Sequence, residues 1–303
     1  MSRIQDILAK AERDGMTRRT QADPAVTNAP ATGPVIAPVS GSSALDTAPY
    51  VRPSEPFTEP AIVGRALSGP LREADKPRAT TTATTTTSDM RTARATLHPA
   101  LVVAIAPHSA IAERFRAIRT RLTMSEEAGP LRSILVTSPG ARDGKSITAA
   151  NLALTMAQEF QRNVVLVDAD LRGSSVHSLF GLDAAPGLSD VLAGDASLED
   201  ALVYLPEYRL TILPAGRTPQ FPTELLGSAA MRRSIDTLRA RFDRILIDLP
   251  PVAPLADVGT VAPLADGVVM VVRAGVTKRP ALDQALAAFD EDKVLGVVLN
   301  DAQ

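Results

Sequence analysis

The stretch TSPGARDGKSITAANLA, residues 137–153, carries the residue types that a phosphate-binding loop needs. Gly144, Lys145 and Ser146 match the end of the pattern G-x-x-x-x-G-K-[ST]. In that pattern backbone N–H groups cradle phosphates, the lysine reaches the β/γ-phosphates and the hydroxyl faces Mg2+. The opening glycine is replaced by Pro139, and Gly140 comes one residue late. Alone, the loop fits a chance G-K-S as well as it fits an altered nucleotide site. VVLVDADLR then places Asp168 and Asp170, and RILIDLPP places Asp248, at the ends of β-branched apolar runs. A carboxylate on such a tip can hold Mg2+ or its waters, or accept the proton of an attacking hydroxyl. One such aspartate reads as a cap or turn residue. Three beside one G-K-S loop point to phosphoryl chemistry.

The elements that must position these residues are legible as well. SILVT (133–137), NVVLVD (163–168), RLTILPAG (209–216), RILID (244–248), GVVMVV (267–272) and VLGVVLN (294–300) are nearly continuous in Val, Ile and Leu. Continuous rather than alternating runs mark strands covered on both faces, as in a mainly parallel sheet. The lengths between them leave room for βαβ crossovers. ITAANLALTMAQEF (147–160) reads as a helix, so strand, loop and helix follow in the required order. Its N-terminus offers free N–H groups and a positive dipole end. LVVAI (101–105) reads as a further strand, and HSAIAERFRAIRTRLTM (108–124) as a helix with Ile111, Phe115, Ile118 and Leu122 in one stripe. The expected fold is a doubly wound α/β domain of the P-loop NTPase type over residues 98–303, its ligands bound beyond the carboxyl ends of the strands.

Composition bounds the alternatives. The 303 residues contain no cysteine and three scattered histidines, which removes disulfides, thiolate zinc sites and iron–sulfur clusters. Any metal is then a hard cation held by oxygen. The net charge of −2, and an arm that mixes acids with its arginines, argue against nucleic acid as a partner. No apolar run reaches the ~20 residues of a membrane span, and MSRIQDILAK lacks the apolar core of a signal peptide. A cytoplasmic protein is expected. Residues 1–15 read as a short amphipathic helix with Ile4, Ile7, Leu8 and Ala11 in one stripe. Residues 16–97, with recurrent prolines and the tract TTTATTTTS, read as a long disordered N-terminal arm.

In its motifs the sequence resembles the bacterial tyrosine kinase family of capsule and exopolysaccharide synthesis, within the deviant-Walker P-loop ATPases. That family's first motif ends in G-K-[ST] and often lacks the entry glycine. Its second, hydrophobics followed by D-x-D-x-R, matches residues 165–172, and its third, hydrophobics followed by D-x-x-P, matches residues 245–251. The second motif discriminates, because ordinary P-loop ATPases lack it. SVHSLFGL, GLSDVLAG, LPAG and VLGVVLN are also similar, and the likeness covers about residues 98–300.

The resemblance implies ATP and Mg2+ as cofactors, with Asp143, Gly144, Lys145, Ser146 and Ile147 around the phosphates. It makes Lys145, Asp168 and Asp170 the catalytic group. Asp168 would be the base or metal-organising carboxylate, and Asp170 would help to position metal and substrate. Ser146, Asp168 and Asp248 would serve the metal, Asp248 through water. Asn300 matches an asparagine that contacts adenine in related ATPases. Glu113, Arg116 and Arg119 match an E-x-x-R-x-x-R segment of ring-like self-association, and their spacing places them on one helix face for a partner subunit.

The family phosphorylates itself on a tyrosine-rich tail, whereas these residues end in LNDAQ and hold only Tyr50, Tyr204 and Tyr208. Gly140 stands where partition-type relatives carry a lysine, which favours the kinase branch. The separate-subunit arrangement is expected, with the cytoplasmic tail of a membrane-embedded polysaccharide chain-length regulator or co-polymerase as partner. Such a partner would recruit a homo-oligomer to the inner face of the membrane. The implied function is an ATP-dependent protein tyrosine kinase (autokinase) regulating exopolysaccharide synthesis or export. The alternatives are a nucleotide-switched ATPase that assembles with the membrane partner without phosphorylating tyrosine, and a non-catalytic adaptor. Intact Lys145, Asp168, Asp170 and Asp248 oppose the adaptor.

Overall fold

The structure, a computed structural model, describes residues 61–64, 90–125, 130–159, 161–253 and 257–301. The expected N-terminal helix, Tyr50 and most of the expected arm lie outside these residues. Among the described residues there are nine strands in one sheet: β1 (Ala61–Gly64), β2 (Arg91–Thr92), β3 (Ser133–Thr137), β4 (Val164–Asp168), β5 (Val203–Leu205), β6 (Leu210–Leu213), β7 (Arg244–Asp248), β8 (Gly267–Arg273) and β9 (Val294–Asn300). Their order is β1-β9-β8-β3-β7-β4-β6-β5-β2. From β9 to β6 every pairing is parallel. β1 runs antiparallel to β9, and β5 runs antiparallel to β6.

The six long apolar runs of the sequence are the six strands of this parallel centre, and β3, β4 and β7 are buried at every position. Ile134, Val136, Leu166 and Leu246 enter a core under the helices α1 (Val102–Ile105), α2 (Ala110–Met124), α3 (Lys145–Ala157) and α4 (Val176–Phe180). Leu135, Val165, Val167 and Ile247 enter a second core on the opposite face. There they meet α5 (Leu188–Ala193), α6 (Leu198–Ala201), α7 (Pro222–Leu226), α8 (Ala229–Arg241) and α9 (Asp257–Val261). α10 (Arg279–Leu286) covers β8 and β9. Helices on both faces explain why the strand sequences do not alternate.

One expected strand is a helix. LVVAI cannot be told from a buried helical turn by its apolar run alone, and Val102–Ile105 forms α1. Asn151 of α3 decides the matter: its amide donates to Ala100 O at 2.9 Å, and its oxygen accepts from Val103 N at 3.1 Å. A buried side chain thus satisfies backbone groups that a neighbouring strand would otherwise have to meet. The packed chain also begins before residue 98. Ala93 N donates to Tyr204 O, Thr96 N to Phe180 O and His98 N to Leu179 O. Among the described residues no helix is long and apolar enough to cross a membrane.

Asn151→Leu keeps the volume but orphans a buried N–H and a buried C=O. We expect it to cost about 2 kcal/mol, measured by urea denaturation.

Candidate active site

The loop between β3 and α3 is held from behind. Gly144 caps α3 with φ 93°, a left-handed value, and a Cβ placed there would collide with the Asn300 amide. Glycine is therefore required for conformation and for space. The Asn300 amide donates to Asp143 O at 3.1 Å. The Asp143 carboxylate accepts from Gly140 N at 3.0 Å and from Thr277 Oγ1 at 2.8 Å. Two residues expected at the nucleotide, Asp143 and Asn300, thus spend these polar groups on the loop itself. Ile147 packs half-buried against the core. Arg142 is exposed, with φ 66°.

The carboxylates come from adjacent strand tips. Asp168 of β4 pairs in register with Asp248 of β7, and β7 lies between β4 and the loop strand β3. Lys145 Nζ stands 2.8 Å from Asp170 Oδ2 and 3.6 Å from Asp248 Oδ1, and donates to Ser146 Oγ at 3.0 Å. The four predicted residues Lys145, Asp168, Asp170 and Asp248 are therefore together. Burial opposes the charge of Lys145, but Asp248, Asp170 and Asp168 raise its pKa above the ordinary value. Burial pushes Asp168 up to about 6, against a bond from Val176 N and the nearby ammonium. Burial likewise pushes Asp248 up to about 7, with Lys145 opposing and Asp168 adding to the rise.

A surrounding layer escapes sequence reading. Asp168 Oδ2 accepts from Ser174 Oγ and Val176 N, each at 3.1 Å, and Ser174 Oγ lies 3.0 Å from His177 Nδ1. Asp170 Oδ1 accepts from Gly173 N at 2.9 Å. Arg172, the last residue of the D-x-D-x-R motif, donates to Asp257 Oδ2 at 2.9 Å and to Thr223 Oγ1 at 3.0 Å. It ties the second motif to α9. No spacing pattern announces Ser174, Thr277 or Asp257.

The self-association residues divide. Glu113 is exposed and pairs with Arg116 on the outer side of α2. Arg119 does not share that free face: its guanidinium donates to Thr155 O at 3.0 Å and lies 3.3 Å from Glu159, where it satisfies a carbonyl in the last turn of α3. Tyr204 and Tyr208 are half-buried, and Tyr208 packs against the core.

Among the described residues no group of three or more His, Cys, Asp or Glu is arranged to hold a metal by itself. Mg2+ rarely needs such a cage, since it keeps waters and takes phosphate oxygens beside one or two carboxylates. The donors fit it. Both oxygens of buried Asp248 lack a hydrogen-bond partner, a cost that a hydrated cation would relieve, and Ser146 adds a hydroxyl.

No family model matches the chain. Individual proteins do. It is 36% identical over 196 residues to tyrosine-protein kinase YwqD of Bacillus subtilis, covering 64% of this chain and 82% of that protein. The chain belongs to the bacterial tyrosine kinase family. Tyrosine-protein kinase CpsD of Streptococcus agalactiae is 35% identical over 62% of this chain and 82% of its own length. The kinase domain of the Escherichia coli tyrosine kinase ETK superposes with a TM-score of 0.64 at 26% identity, covering 69% of this chain and 82% of that one. The fold of this bacterial tyrosine kinase thus agrees with that of a solved relative.

Two outcomes follow from the geometry. Gly144→Ala is expected to weaken ATP binding by about 100-fold or more, read by titration calorimetry, because the new Cβ displaces Asn300. The second concerns pH. Asp168 and Asp248 titrate in the folded state at about 6 and about 7, above the ordinary 3.8. The folded protein therefore holds protons that the unfolded chain releases, and stability is lost as pH rises from 3.8 through about 7. Asp248→Asn should flatten that decline, measured by urea denaturation at about pH 5 and about pH 8.

Proposed function

We propose that the protein is an ATP-dependent protein tyrosine kinase, an autokinase serving exopolysaccharide synthesis or export. The observation that carries this reading is the convergence of Asp168, Asp170 and Asp248 on Lys145 at the mouth of the phosphate loop, in a chain of this family. The N-terminus of α3 binds the phosphates through free N–H groups. Lys145 exchanges its contact with Asp170 for a β/γ-phosphate oxygen and neutralises charge on the transferred group. Ser146, Asp168 and Asp248, directly or through water, would hold Mg2+ with the nucleotide, and the ion would add positive charge at the phosphate oxygens.

Asp168 accepts the proton of the attacking tyrosine hydroxyl. A carboxylate titrating near 6 is a stronger base than an ordinary aspartate, and Ser174 and Val176 N fix its outer oxygen. Asp170 orients Lys145 and the incoming hydroxyl. Asn300 holds the loop at Asp143, and its adenine contact is made from that braced position. Of the tyrosines in the sequence, Tyr204 and Tyr208 belong to the packed domain, which favours Tyr50 of a neighbouring copy, or a tyrosine of a second protein, over these two as the acceptor. Self-association uses Glu113 and Arg116 on the outer face of α2. The partner is the cytoplasmic tail of a membrane-embedded chain-length regulator or co-polymerase, which brings a cytoplasmic kinase to the membrane.

The test is incubation of the full chain with Mg-ATP, with and without such a tail, followed by mass-spectrometric mapping. Phosphotyrosine is expected in the wild type and should fall by about 100-fold or more in Lys145→Ala and Asp168→Asn. ATP hydrolysis without tyrosine modification in either condition would assign the site to a nucleotide switch that assembles with the membrane partner.

A further inference from the structure

At the opposite end of the sheet from the aspartates lies a second charged site. A recess of about 80 Å³ opens at the amino ends of β4 and β6, walled by Arg162, Arg209, Arg241, Tyr204 and Thr211 among others, with no carboxylate in its lining. The arginines are held from outside it. Arg241 pairs with Glu199 at 2.9 Å, Arg209 donates to Glu159 O at 3.1 Å, and Arg162 stands 3.9 Å from the Glu159 carboxylate. The Arg209 and Arg241 guanidiniums each have five N–H donors, so one such contact leaves others for a ligand.

The backbone adds a second observation. Arg209 ends the turn between β5 and β6 with φ 53°, a left-handed value. Glycine or asparagine would hold that position with less strain. The turn itself has no need of a guanidinium; the recess does. Strain retained at one residue marks a site where the side chain matters.

We propose that this recess binds a phosphate-sized dianion, either inorganic phosphate or the phosphate of a monoester, on Arg209 and Arg241. Forked guanidinium donors suit phosphate oxygens, and the hydroxyls of Tyr204 and Thr211 add neutral donors. This site goes beyond the proposed kinase activity and does not depend on it.

Titration calorimetry on the full chain tests it, with inorganic phosphate and phenyl phosphate as probes and Mg-ADP present to occupy the phosphate loop. One site is expected, weakened by about tenfold or more in Arg209→Asn and in Arg241→Gln. Arg209→Asn relieves the left-handed strain, so its melting temperature should equal or exceed that of the wild type, which separates lost binding from lost folding. Equal affinity for the two probes assigns inorganic phosphate, and preference for phenyl phosphate assigns a monoester. Absence of binding at tens of millimolar, or binding unchanged in Arg209→Asn, overturns the proposal. If phosphate entered the loop instead, its binding would be lost in Lys145→Ala and kept in Arg209→Asn.

Discussion

Three aspartates from neighbouring strand tips share the ammonium of Lys145, and the charges do not cancel. Asp168 and Asp248 have no exposed surface, and Asp170 has very little. Removing carboxylates from water is expensive, and mutual repulsion adds to the cost. The protein meets part of it with fixed donors. Asp168 receives Ser174 and Val176 N, and Asp170 receives Gly173 N. Asp248 receives none. The residual negative charge suits a ligand that brings cations with its phosphates, so the same imbalance that costs stability creates affinity.

Holding that imbalance in place requires a rigid frame. Register alone sets Asp168 beside Asp248, because β4 and β7 pair through five consecutive positions. A slip of β4 by one residue would turn Asp168 into the wrong core and part it from Asp248. Arg172 then fastens the turn after β4 to α9 through Asp257 and Thr223. Loop, turn and helix are thus joined on one end of the sheet, while the middles of strands β3, β4 and β7 are apolar.

The parallel centre was legible because its strands are buried on both faces and so carry unbroken Val, Ile and Leu. The short strands β1, β2 and β5, at or next to the sheet edges, left no such trace. LVVAI misleads for a related reason: an apolar run reports burial, and only Asn151, distant in sequence, reports that the backbone is helical. At the site, Lys145, Ser146, Asp168, Asp170 and Asp248 could be named because motifs fix residue type and strand position. Ser174, Thr277 and Asp257 could not, since each acquires its partner only through the packing of separate elements. Arg119 shows the limit of helical spacing, which gives a face but not what that face touches.

The bond from Asn300 to Asp143 spans 157 positions of the sequence. During synthesis the phosphate loop therefore leaves the ribosome long before the residue that braces it. A nascent chain carries the loop's sequence without its shape until β9 has joined β8. Gly144, open to many conformations on its own, is confined only when the Asn300 amide closes over it. Completion of the sheet and readiness for nucleotide are consequently one event, and a partly made chain cannot engage ATP through a finished site.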